Sequence, residues 1–226
     1  MSENIKITHN NNKKTDENIV NNYEKITIKI LIVGEPGVGK SNFISRFIDN
    51  KFMSTNLSTV CFNSNYKTLN FGNKNIIVQL WDSAGKFAYK SITQSLFNRV
   101  HGIIILYDIT NLKSFEDLES WISEVDTQIG LKNCIKGIVA NKIDLFLKEE
   151  VSDEKGEQYA KSIGAKFLQI SAKTSDPKAF INFITDMLKD YLASDIKKDY
   201  GNGRITIDYS HTIKKIDNSK CCLSQK

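Results

Sequence analysis

Residues 25–50 read KITIKILIVGEPGVGKSNFISRFIDN, and this stretch decides the fold. Lys25 to Val33 is a β-branched run with the composition of a strand. Gly34 to Ser41 fits G-x-x-x-x-G-K-[ST], and Phe43, Ile44, Phe47 and Ile48 then recur on one face of a helix. A strand, a glycine-rich loop and a helix in that order are the context in which this motif binds phosphate. Gly34, Glu35, Pro36, Gly37, Val38 and Gly39 form a loop whose backbone N–H groups can face an anion. The helix opening at Lys40, Ser41 and Asn42 adds positive partial charge at its N-terminus. Lys40 supplies a full charge for β and γ phosphates, and the Ser41 hydroxyl is a ligand for Mg²⁺. The plain alternative is a chance glycine-rich turn, which the flanking strand and helix argue against. The motif indicates a nucleotide without naming its base, because kinases, ATPases and GTPases all carry it.

Downstream, CFNSNYKTLNF and NIIVQLWD flank a turn at Gly72 and Asn73, which predicts a hairpin of adjacent strands. Apolar runs at HGIIILYDIT, CIKGIVAN and KFLQISA alternate with helical patterns over about 114–129, 152–163 and 177–192. Strands too apolar to face water on either side predict an α/β fold: a doubly wound, mainly parallel six-stranded sheet with helices on both faces. The hairpin adds one antiparallel edge strand. Residues 1–24 are rich in Asn, Lys and Glu, and residues 193–226 are polar and end near a cysteine pair. Neither composition can bury enough apolar surface to offset ordering. The expected organisation is a disordered extension over 1–24, one domain over 25–192 and a flexible tail over 193–226.

The 226 residues are 40% apolar and 25% charged, ordinary globular usage. No run approaches the roughly 18 apolar residues of a membrane span, and the N-terminus lacks the apolar centre of a secretory signal. A location on the cytosolic side is expected. The net charge of +5 is spread along the chain without an arginine-rich block, so nucleic acid is not an expected partner. The four cysteines show no C-x-x-C pair, and with three scattered histidines they spell neither a zinc site nor a disulfide framework.

Three further motifs complete the phosphate loop. In VQLWDSAG, Asp82 ends a strand and Gly85 follows three residues later. Such an aspartate can hold Mg²⁺ through water, and Gly85 can offer a bare N–H to the γ-phosphate. Alone, a strand-end aspartate is more often a turn former. In ANKID, Asn141, Lys142 and Asp144 give N-K-x-D. The Asp144 carboxylate can accept from the N1 and N2 hydrogens of guanine, a pair adenine lacks, while the Lys142 stem packs over the ring. Ser171, Ala172 and Lys173 follow the next strand, and there the Ala172 N–H can reach the guanine oxygen. The tripeptide is common, and its weight comes from lying downstream of N-K-x-D at strand C-terminal ends, where open α/β sheets bind ligands.

With GEPGVGKS, WDSAG, NKID and SAK in order over residues 25 to about 192, the sequence resembles the Ras superfamily of small GTPases. KSITQ, HGIIILYDIT and SFEDLESWISEV make it similar to the Rab branch. The resemblance implies a P-loop G domain that binds GTP or GDP with Mg²⁺ and hydrolyses GTP. It implies a switch threonine, matched by Thr59, that reaches metal and γ-phosphate, and an aromatic edge-on to guanine, matched by Phe52. The implied process is vesicle traffic at the cytoplasmic face of an intracellular membrane, with a cytosolic pool. The implied partners are effectors, an exchange factor, a GTPase-activating protein, a prenylation escort and a GDP-dissociation inhibitor.

Three departures stand out. VCFNS follows Thr59 where Rabs usually place a glycine, an acidic residue and a phenylalanine. Pro36 replaces a small residue and removes one loop N–H. Lys86 occupies the place of the glutamine that orients the attacking water, and lysine has three donors and no acceptor. Two readings follow for Lys86: slow intrinsic hydrolysis, extending to a GTP-binding scaffold that hardly hydrolyses, or timing left to an activating protein that brings its own glutamine and arginine. A P-loop kinase or ATPase is the third class. At the C-terminus four residues follow Cys222, so neither Cys221 nor Cys222 stands in a C-a-a-X box. The resemblance implies two geranylgeranyl groups on this pair, with unmodified thiols as the alternative.

Overall fold

A computed structural model describes residues 24–54, 63–71, 74–82, 100–129 and 134–193. The strands are β1 (Glu24–Val33), β2 (Asn63–Phe71), β3 (Lys74–Asp82), β4 (Gly102–Asp108), β5 (Ile135–Asn141) and β6 (Lys166–Gln169). The helices are α1 (Lys40–Asp49), α2 (Leu112–Glu116), α3 (Leu118–Ile129), α4 (Asp153–Ser162) and α5 (Pro177–Ala193), with a 3₁₀ turn at Ile143–Lys148. Among the described residues the six strands form one sheet in the order β2-β3-β1-β4-β5-β6. Every pairing is parallel except β2 with β3. That pair runs from Asn63 opposite Asp82 to Phe71 opposite Lys74, the expected hairpin with its antiparallel strand at the edge.

The period of two in the strands sorts side chains onto two cores. Ile28, Ile30 and Ile32 of β1, with Ile104 and Leu106 of β4, pack beneath Phe43 and Phe47 of α1 and Phe180, Ile184 and Leu188 of α5. Leu31 and Val33, with Ile103, Ile105 and Tyr107, face Leu118, Trp121 and Val125 of α3 and Ala160 of α4. Strand β4 is buried along its whole length, as a central parallel strand covered by helices on both faces must be. The helical pattern expected from about residue 114 is two helices, broken at Asp117, whose N–H still bonds to Lys113 O. Asn111 caps α2 through the Ser114 N–H, and Lys113 pairs with Asp117 at 2.9 Å. Composition did not reveal the 3₁₀ turn, because IDLFLK contains neither glycine nor proline.

Tyr107 is fully buried, and its hydroxyl has no hydrogen-bond partner among the described residues. Burial pushes its pKa upward, and the carboxylates of Asp153 and Glu149 push the same way. A side chain on Gly156 would collide with that hydroxyl and with the Phe167 ring, so helix α4 approaches the sheet through a bare backbone. Replacing a buried, unpaired hydroxyl by hydrogen removes a desolvation penalty. Tyr107→Phe is therefore expected to raise unfolding stability by about 1 kcal/mol in urea titration; a loss of that size would mean that the hydroxyl is paired.

Candidate functional site

The site lies at the C-terminal ends of the parallel strands. β1 ends at Val33, and the loop to α1 takes positive φ at Gly34 (137°), Gly37 (82°) and Gly39 (101°). A Cβ on Gly34 would strike the Leu106 carbonyl, and one on Gly39 would strike the Asn141 amide. The loop can pass this close to β4 and β5 only without side chains there. Lys40, 7% exposed, curls back so that its Nζ donates to Gly34 O at 2.8 Å and Glu35 O at 2.9 Å. Burial lowers its pKa, while the Asp82 and Glu35 carboxylates favour its charge. The ammonium is therefore held over the loop, poorly solvated, at the N-terminus of a ten-residue helix, an arrangement that favours an anion.

Ser41 and Asp82 are brought together by the parallel pairing of β1 with β3, which places Ile32 opposite Asp82. Ser41 Oγ donates to Asp82 Oδ2 at 2.6 Å. Asp82 Oδ1 is buried with no hydrogen-bond partner among the described residues, and burial raises the carboxyl pKa against the opposing effects of Ser41 and Lys40. A hydroxyl and a carboxylate with a buried oxygen left unpaired are hard donors suited to Mg²⁺, which is held through few protein oxygens and keeps much of its water. The residues present thus fit the metal.

At the other end, Asn141 is 1% exposed and braces two loops. Its Nδ2 donates to Val38 O at 2.7 Å, and its Oδ1 accepts from Ala172 N at 3.0 Å. The N–H expected to reach the guanine oxygen thus bonds to Asn141 here. Lys142 adopts a left-handed backbone, φ 69°, and its ammonium pairs with Asp108 Oδ2 at 2.6 Å. Asp108 Oδ1 meanwhile accepts from the Thr110 N–H and hydroxyl. Asp144 is half-buried on the 3₁₀ turn, and among the described residues no hydrogen bond or ion pair engages its carboxylate. Ser171 Oγ accepts from Lys173 N and Thr174 N, and Ser171 N donates to Ser175 Oγ at 2.8 Å. The hydroxyl of Ser171 therefore shapes the loop, and the Lys173 side chain is exposed.

Phe52 is 41% exposed just beyond α1. The chain there is fastened by Asn42, whose amide exchanges two hydrogen bonds with the Met53 backbone, at 2.8 Å and 3.1 Å. Thr59, Gly85, Lys86, Cys221 and Cys222 lie outside the described residues. Sequence reasoning passed over Asp108, whose signal was an acidic residue ending the run GIIILYD, and Trp121, whose indole Nε1 donates to Glu35 Oε1 at 3.1 Å. It also passed over Arg46, which no local pattern marks.

A model described as the Ras family matches residues 29–190. Among curated proteins, the Ras-related protein RabC of Dictyostelium discoideum is 35% identical over 205 residues, covering 88% of this chain and 98% of the relative. Ras-related protein Rab-1C of the same organism is 38% identical over 173 residues, 76% of this chain and 81% of the relative. Ras-related protein RABD2c of Arabidopsis thaliana is 36% identical over 168 residues, 74% and 82% respectively. With a glycine-lined loop over Lys40, a Ser41–Asp82 pair beside it and N-K-x-D at the far end of the same strand tips, the chain belongs to the Ras family of small GTPases and is similar within it to Rab proteins.

Proposed function

We propose that this chain is a Rab-type switch: it binds GTP or GDP with Mg²⁺, acts in vesicle traffic, and hydrolyses GTP slowly because Lys86 replaces a glutamine. The observation that carries the nucleotide part is the convergence of Lys40, the Ser41–Asp82 pair and the Asp144 carboxylate, unengaged among the described residues, on one edge of the sheet. Loop amides of residues 34–39 and Lys40 would hold the phosphates, and Ser41 and Asp82, with Thr59 joining in the GTP state, would hold the metal. Bound Mg²⁺ would neutralise charge on the β and γ phosphates. Asp144, the Lys142 stem, Phe52 and residues 171–173 would enclose guanine. In the GTP state the γ-phosphate would draw in Thr59 and Gly85, creating a surface for effectors that hydrolysis removes.

Similarity to Rab proteins is what directs this reading to vesicle traffic, and the same reading takes a G domain over 25–192 flanked by an N-terminal extension and a tail. In this reading Cys221 and Cys222 carry two geranylgeranyl groups, since two lipid chains anchor stably where one does not. No helix among the described residues is long and apolar enough to cross a membrane. The switch would sit on the cytoplasmic face of an intracellular membrane and cycle through the cytosol. An exchange factor, an activating protein, a prenylation escort and a GDP-dissociation inhibitor would be its regulators. Preference for ATP over GTP would return the chain to the kinase or ATPase class.

The Lys86 reading has a direct test. A lysine can donate to the attacking water but cannot accept a hydrogen bond from it, so Lys86→Gln is expected to raise single-turnover GTP hydrolysis about 100-fold without an activating protein, the lower end of the range for a group positioned to handle the proton. Equal rates would remove Lys86 from the timing of hydrolysis. No turnover by either protein, with GTP still tightly bound, would support the scaffold reading.

A further inference from the structure

Arg46 links two parts of the site that are far apart in sequence. It stands in the last turn of α1, the helix whose first residues are Lys40 and Ser41. Its Nη1 donates to Asn50 O at 3.2 Å and Asn50 Oδ1 at 2.5 Å, where Asn50 ends the helix with φ 56°. Its Nη2 donates to Ser175 O at 2.5 Å, across 129 positions of sequence. The guanidinium carbon lies 5.9 Å from the Phe180 ring centroid, and Phe180 packs on Phe43 of the same helix at 5.3 Å. Ser175 closes the loop 171–175, because its hydroxyl accepts from Ser171 N and its own N–H donates to Ser171 O. A continuous path thus runs from Arg46 through Ser175 and Ser171 to Ala172, and on through Asn141 to Val38 of the phosphate loop.

We propose that Arg46 is a positioning residue for the base: it holds loop 171–175 at a set height above α1, so that phosphate and guanine contacts are made at one spacing. Arginine suits the task because its planar fork serves Asn50 and the Ser175 carbonyl together, while lysine has a single ammonium for both. Without the fork, the loop loses the side-chain tie from Arg46 to Ser175 O. The phosphate contacts, made by residues 34–41, are untouched. Release of base-bearing nucleotide should therefore quicken while binding of phosphate alone stays as it was. The inference rests on the guanine reading above, and its test separates the two.

The test uses the full chain and compares GDP, ADP and inorganic pyrophosphate by competition, with GDP dissociation followed directly. Arg46→Ala is expected to speed GDP release and weaken GDP about tenfold, the value of one charge-assisted hydrogen bond, with pyrophosphate affinity unchanged. Millimolar guanidinium should restore part of the loss. Arg46→Lys keeps the stem and charge, so it covers the case in which the alanine variant fails to fold; it should show a smaller loss with the same split. GDP affinity unchanged in both variants overturns the proposal, and so does a parallel fall for GDP and pyrophosphate, which would mark general damage. Wild-type protein that binds GDP and ADP equally overturns the guanine reading and this inference with it. Wild-type protein that prefers GDP to ADP, together with GDP affinity unchanged in both variants, overturns the inference alone.

Discussion

Asp144→Asn is expected to weaken GTP and GDP by about 10,000-fold and to transfer preference to the xanthine nucleotides, the lower end of the scale on which a site built to hydrogen-bond its ligand rejects a mismatched analogue. Guanine offers two hydrogens side by side, on N1 and on the exocyclic N2, and a carboxylate accepts both. An amide presents one acceptor and one donor, so guanine N2 would face an N–H. Xanthine carries an oxygen at that position and meets the amide's donor correctly. The carboxylate is suited to this role because it lies half-buried on the 3₁₀ turn and no described group uses it. The neighbouring Lys142 ammonium is already paired with Asp108. Competition of GDP and xanthosine diphosphate against a fluorescent nucleotide checks the expectation, and an unaltered preference would remove Asp144 from base recognition.

The second large effect is expected at Asn141, through a different cause. Its side chain satisfies a buried carbonyl, Val38 O, and the N–H of Ala172, which is 4% exposed. Asn141→Ala removes the partner of both groups. At about 1–3 kcal/mol for each orphaned group, the loss of unfolding stability should be about 2–6 kcal/mol in urea. Nucleotide release should also accelerate, because phosphate loop and base loop lose their common brace. Asn141→Asp should separate the two bonds: it keeps an acceptor for Ala172 but sets a carboxylate oxygen against the Val38 carbonyl. A stable, slowly releasing Asn141→Ala protein would show that the brace is dispensable.

These two residues lie three positions apart in one short motif, yet they were legible to different degrees. Asp144 could be placed against guanine from its spacing and from the chemistry of a carboxylate. Asn141 stood in the same motif as a nucleotide contact, while its role as a clamp between Val38 and Ala172 depends on a partner 103 positions upstream. The difference is one of range. Motif spacing encodes local backbone shape and the identity of a chemical group, whereas a side-chain amide that both donates and accepts takes its partners from whichever loops the fold brings near. Asp108 and Trp121 escaped notice for the same reason, the first reading as the end of a strand and the second as a core aromatic in α3.

What the amino-acid sequence determined by itself was the alternation of strand and helix, the faces of the strands and the phosphate loop. All three are set within a few residues, by the alternation in β1 and the unbroken apolar run of β4, by glycine at positive φ and by Lys40 and Ser41 opening a helix. It also placed the hairpin, whose strands are neighbours in the chain. Only the tertiary structure decided which side chains meet: Ser41 with Asp82 across 41 positions, Asn141 with Val38 across 103, and Arg46 with Ser175 across 129. Those meetings follow from the strand order β2-β3-β1-β4-β5-β6, which lines up loops from distant parts of the chain along one edge. Strand order is chosen by the packing of α1 and α5 on one face and of α3 and α4 on the other, a balance of burial over the whole domain that no short stretch contains.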